Sequence, residues 1–135
     1  MQSTTTMLRE EARTVPLTTA PDQLAGTLDA LAGYEQVALT SVATLMGGPD
    51  VSGLRAVIAA TQDAADLAAV TRHILARNTP AGSAVVRSIL GTTVHALDRS
   101  AHLGAQHLEL RTCRLQAEAA AETAHRCRQL RAHLA

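Results

Sequence analysis

The 135-residue chain has no phenylalanine, no tryptophan, no lysine and a single tyrosine, Tyr34. Without large aromatic rings, its 47% hydrophobic content has to build a core from Ala, Leu, Val and Ile. Such small and branched side chains suit closely packed helices. All twelve basic residues are arginine, and twelve acidic residues balance them to a net charge of zero. There is no basic excess of the kind that tracks a phosphate backbone, so no nucleic-acid partner is expected. No apolar run reaches membrane-spanning length, so no membrane partner is expected either. The first twenty residues are Thr-rich with Arg9, Glu10, Glu11 and Arg13 and lack an apolar h-region, unlike a secretory signal. The expected location is cytoplasmic. Cysteine is scarce too: Cys113 and Cys127 alone. On one helix they stand about 21 Å apart and cannot bridge each other. Two free thiols fit a reducing compartment.

What is present is helical periodicity. Residues 1–21 read as an N-terminal tail, flexible or with a short helical turn around Met7 to Arg13. Pro21-Asp22 opens a helix that runs to Met46, where Gly47-Gly48-Pro49 stops it. Asp50 or Ser52 can cap a second helix that continues to about Arg77, and Asn78-Thr79-Pro80 breaks it. A third helix spans about Ala81 to His102. Gly104 is the one breaker before a fourth, which runs to His133. No segment alternates with period two, so strands are not expected. The fold class is therefore all-α: an antiparallel up-down-up-down four-helix bundle over residues 22–135, following the tail. The apolar surplus also points to a homo-oligomer.

The last helix, from Cys113 to Arg128, reads Cys-Arg-Leu-Gln-Ala-Glu-Ala-Ala-Ala-Glu-Thr-Ala-His-Arg-Cys-Arg. It resembles the corresponding helix of the cysteine-rich four-helix-bundle copper-storage family, which carries cysteines at relative positions 0, 3, 7, 10 and 14. Here those positions hold Cys113, Gln116, Ala120, Thr123 and Cys127. Asp63-Ala64-Ala65-Asp66-Leu67-Ala68 is similar to the family's Asp-Cys-Ala-Asp-Leu-Cys, and Ala76 to Pro80 to the loop that follows it. In the third helix Ser88, Thr92, His95, Arg99 and His102 match a Cys, Cys, Cys, Cys, His pattern; in the first, Tyr34, Ala38, Ser41 and Leu45 fit the same register. The resemblance covers most of the chain from Leu28 onward. It implies a cytosolic bundle, oligomeric, whose lumen these positions line. It does not carry over high-capacity copper storage, which needs many thiolates bridging Cu(I).

Those substitutions would leave Ser41, Thr92, His95, Arg99, Gln116 and Thr123 pointing inward, and buried polar groups need partners. His95 and His102 are seven residues apart, and helix counting sets Cys113 level with His95, with Ser41 or Ala38 and Thr61 near that layer. Three function classes follow. The first is a low-capacity metal site, copper foremost, on His95, His102 and Cys113, since imidazole with thiolate suits Cu or Zn. The second is an enzyme or small-molecule-binding protein reusing the lumen. There His95 would be the candidate catalytic acid or base, and Tyr34, Thr92, Arg99 and Gln116 would contact the ligand. The third is a structural bundle that packs against other subunits. The bland reading of His95 is an internal hydrogen bond to Thr61 or Gln116. His73 and His125 fall off the core register and are expected at the surface.

Overall fold

A computed structural model describes residues 21–77 and 84–134. Four long helices make up the fold: α1 (Pro21–Met46), α2 (Arg55–Ala76), α3 (Ala84–Gly104) and α4 (Arg111–His133). Each packs against its neighbours in sequence, and α1 closes the ring against α4. The architecture is the antiparallel four-helix bundle that the sequence pattern leads one to expect. The tail, its turn around Met7 to Arg13 and the Asn78-Thr79-Pro80 break lie outside the described residues.

The connections follow from local chemistry. Pro49 cannot donate to a continuing helix, and α1 ends in turns from Gly47 N–H to the Ala43 carbonyl and from Gly48 N–H to the Leu45 carbonyl. A 3-10 turn, Ser52–Leu54, leads into α2. Neither Asp50 nor Ser52 caps α2, whose first turn follows Leu54 without a side-chain cap; the Asp50 carboxylate instead accepts the Gly53 N–H inside the turn at 3.3 Å. Between α3 and α4 a second 3-10 turn, Ala105–His107, carries the reversal, and Leu110 is the extended residue before α4.

Packing of leucine against alanine fills the interior. Leu31, Leu75, Leu90, Leu97 and Leu130 are fully buried, and Ala64, Ala68, Ala120 and Ala124 face them from α2 and α4. Together with Tyr34, Ala38, Val86 and Cys127 they form the main apolar cluster. A smaller one, Leu45, Leu54, Val57, Ile58 and Cys113, fills the end of the bundle where α1 stops and α4 starts. Two ion pairs lace neighbouring helices on the outside. Arg72 grips Glu35 with two hydrogen bonds, of 2.5 and 3.0 Å, and Arg128 pairs with Asp98.

Gly104 is more than a breaker. It is buried where α3 meets α4, and a Cβ placed there would lie 2.9 Å from Gln116 Nε2, 3.0 Å from the Cys113 carbonyl oxygen and 3.1 Å from the Ala117 Cβ. Gly104→Ala gains helix propensity but has to push these groups apart, and overpacking of this kind costs about 1–3 kcal/mol. The expected outcome is a net loss of stability of about 1–2 kcal/mol in urea unfolding. A more stable variant would show that the α3–α4 approach is looser than described.

Candidate functional site

On α4 the stripe Cys113, Gln116, Ala120, Thr123 and Cys127 faces inward and is buried throughout. Tyr34, Ala38, Ser41 and Leu45 do the same on α1, and Ala64 and Ala68 on α2. The third helix is a correction. Its buried stripe is Val86, Leu90, Thr93, Leu97, Ser100 and Gly104, whereas Ser88, Thr92, His95, Arg99 and His102 are exposed. The two stripes share their 4-3-4-3 spacing and differ by two residues, which at about 100° per residue is close to the opposite face. Burying Arg99 and two imidazoles would strip charged and polar groups of water, while the other stripe buries Val86, Leu90 and Leu97.

The proposed metal ligands therefore do not converge. His95 and His102 stand outside the bundle, and Cys113 lies inside among Leu45, Leu54, Val57 and Ile58. Among the described residues no group of three or more His, Cys, Asp and Glu is arranged to hold a metal ion. His102 approaches Gln106, at 3.5 Å. His95 makes no bond to Thr61 or Gln116 across the core, since it is on the wrong side of α3. His73 and His125 are exposed, as their register indicates.

What occupies the lumen is a layer of four polar side chains, one from each helix: Tyr34, Thr61, Ser100 and Gln116, all buried. The layer separates the two apolar clusters. Along α2, Val57 and Ile58 precede Thr61 and Ala64 follows it; along α4, Cys113 precedes Gln116 and Ala120 follows it. Gln116 Oε1 accepts from the Tyr34 hydroxyl at 2.8 Å and from Ser100 Oγ at 2.5 Å. Gln116 Nε2 donates to the Ser100 carbonyl at 3.3 Å. Thr61 Oγ1 donates to the Val57 carbonyl at 2.7 Å and lies 3.2 Å from Ser100 Oγ. With these protons committed, neither the 3.1 Å approach of Tyr34 to Ser100 nor the 3.2 Å approach of Thr61 to Ser100 carries a proton of its own, and the shared amide oxygen holds Tyr34, Ser100 and Gln116 together. A turn or more further toward the α3 start, Thr71 and Thr93 share a 2.6 Å hydrogen bond. Thr123 returns its proton to the Ala119 carbonyl at 2.8 Å. Among the described residues no buried side-chain nitrogen or oxygen lacks a partner.

Of the expected ligand contacts, Tyr34 and Gln116 are thus brought together, but they bond to each other. Thr92 and Arg99 join His95, Asp63, Asp66 and Leu67 along a shallow groove of about 340 Å³ between α2 and α3. Ser100 and Thr93 are the interior residues that the sequence reading missed. Their signal was present: both fall three residues after a leucine on the one stripe of α3 that carries no charge. No protein-family model matches this chain, and no curated protein is significantly similar to it. The four-helix all-α bundle of the resemblance is what the structure shows.

Burial dominates the titration of the interior. It pushes the Tyr34 hydroxyl from 10.0 to about 12, against the lowering effect of Ser100 and Thr61. The Cys127 thiol rises from 9.0 to about 12, again through burial, with the Arg128 charge pulling the other way. Burial first, and the Glu109 charge second, raise Cys113. The unfolded chain therefore loses these protons before the folded one does. Stability is full below pH 9 and falls as pH rises from about 9 to about 12. Urea unfolding across that range should show the fall. Cys127→Ala should make the fall shallower from about pH 9 upward, leaving the Cys113 share, and Tyr34→Phe should remove only the share that sets in above about pH 10, while costing about 1 kcal/mol at neutral pH. A flat profile would mean that neither group is sealed from water.

Proposed function

We propose that this protein is a helical assembly module, which acts through its outer faces and uses its interior only to fix the bundle. The supporting observation is the closed polar layer. The groups that might have gripped a substrate, Tyr34 and Gln116, spend their hydrogen bonds on each other, Ser100 and the backbone. Among the described residues, Tyr34, Thr61, Ser100 and Gln116 line none of five well-formed grooves between and over the helices. Large apolar side chains meanwhile stand exposed, among them Leu39, Met46, Val85 and Leu108.

A second reading, a low-capacity copper site, has one observation in its favour. Cys113 and Cys127 are free and occupy lumen-facing positions of the α4 register. Soft thiolates favour Cu(I), but two thiols at opposite ends of a helix cannot share a cluster.

One set of measurements separates these readings. Native mass spectrometry of the purified chain should give the bare 14.1 kDa polypeptide mass for each subunit. Cu(I) titration against a competing chelator should saturate at no more than one or two ions per chain. His95→Ala should change neither result and should shift stability by less than about 0.5 kcal/mol, as an exposed substitution does. A stoichiometric small molecule or metal that is lost on Gln116→Ala or Cys113→Ala would overturn the assembly reading.

A further inference from the structure

The outer face of α1 carries a second heptad stripe. Inward, the helix buries Thr27, Leu31, Tyr34, Ala38, Ser41 and Leu45. Outward, Ala32, Gln36, Leu39, Ala43 and Met46 repeat the 4-3-4-3 spacing and are all exposed, with Leu39 at 68% and Met46 at 55%. From Gln36 to Pro49 the sequence holds no charged residue. Surface helices normally set charge opposite their buried stripe, and a solvated outer face gains nothing from leucine and methionine at heptad positions. Beside this ridge runs a groove of about 480 Å³ between α1 and α4, lined by Val37, Thr40, Ser41, Thr44, Thr112 and Leu115, again without charge.

We infer that this face binds a second copy of the chain, with the two α1 helices antiparallel across a two-fold axis near Leu39. The inference rests on the assembly reading and names its partner. Three features select a second copy. The ridge from Gln36 to Met46 and its α4 flank are uncharged, while Glu35, Asp63 and Asp66 rim the groove on its α2 flank, so the neutral seam runs along the ridge and the α1–α4 groove, and the chain itself presents the matching neutral surface. Antiparallel pairing about Leu39 puts large against small: Met46 of one copy meets Ala32 and Gly33 of the other, and Leu39 meets its own counterpart. A two-fold contact uses one patch twice, which is the commonest closed assembly. From Ala32 to Gly47 the ridge is about 24 Å long, more than four helical turns. Such pairing is coiled-coil-like, a left-handed seam whose alanines and glycine let the backbones approach.

The test is sedimentation velocity on the full chain over a concentration series. The wild type should be a reversible dimer. Leu39→Glu should weaken association at least a hundredfold while leaving far-ultraviolet helicity and unfolding unchanged, because Leu39 is mostly outside its own core. Val85→Glu, an exposed apolar position on α3, serves as the control and should leave the dimer intact. Leu39→Cys should crosslink copy to copy with a short bismaleimide, whereas Cys113 and Cys127, fully buried, should not. A chain that stays monomeric up to millimolar concentration, a dimer indifferent to Leu39→Glu, or a seam that takes only an added uncharged amphipathic helix from another protein would each overturn the inference. The two readings fail separately. A monomer leaves the bare-chain mass result standing, and a retained ligand strikes the function reading without altering the association constant.

Discussion

One amide oxygen governs the interior. Gln116 Oε1 receives protons from Tyr34 on α1 and Ser100 on α3, so a single acceptor on α4 sets the height of three helices relative to one another. Thr61 of α2 lies at the same level, 3.2 Å from Ser100 Oγ, with its proton given to the Val57 carbonyl of its own helix. An apolar bundle can slide by a heptad at modest cost, since leucine packs against alanine in many registers. A slide here would strand buried donors, each at about 1–3 kcal/mol, so the layer specifies one register where the apolar clusters on either side would tolerate several. Gly104 belongs to the same constraint, because its missing side chain leaves the space that the Gln116 amide occupies.

That constraint leaves no buried side-chain donor or acceptor without a partner among the described residues. Tyr34 is the only large ring in the chain, and it lies fully buried at the layer. Around it alanine, threonine and glutamine fill the inward stripes and pack or bond internally. Cys127 sits in the main apolar cluster, and Cys113 in the end cluster, on opposite sides of the layer. What is unusual in the structure lies outside: an uncharged helix face with its own heptad.

How much of this the sequence revealed depended on the helix. Its breaks at Gly47-Gly48-Pro49 and Gly104, and long periodic segments, made the four-helix bundle legible. The α4 stripe was legible because Glu118, Glu122, Arg126 and Arg128 leave one face free of charge. The α3 stripe was not, because two stripes of equal spacing run along that helix and the family resemblance favoured the polar one. Desolvation decides between them: Leu90 and Leu97 belong inside, and Arg99 with its neighbours His95 and His102 does not. The polar layer was half visible. Helix counting puts Thr61 near the Cys113 layer but sets Ser41 or Ala38 of α1 there rather than Tyr34, and Ser100, which bonds to Gln116 beside Tyr34, lies on the stripe that was passed over.

The central claim is that the interior is locked by one shared acceptor rather than held ready for a ligand. A double-mutant cycle of Tyr34→Phe and Gln116→Leu, read by urea unfolding at neutral pH, tests it most directly. A shared buried bond predicts that the two changes together cost less than their separate costs added, with a coupling of about 1–2 kcal/mol. Additive costs would contradict the account and would mean that Tyr34 and Gln116 each bond elsewhere, to water or to a bound molecule.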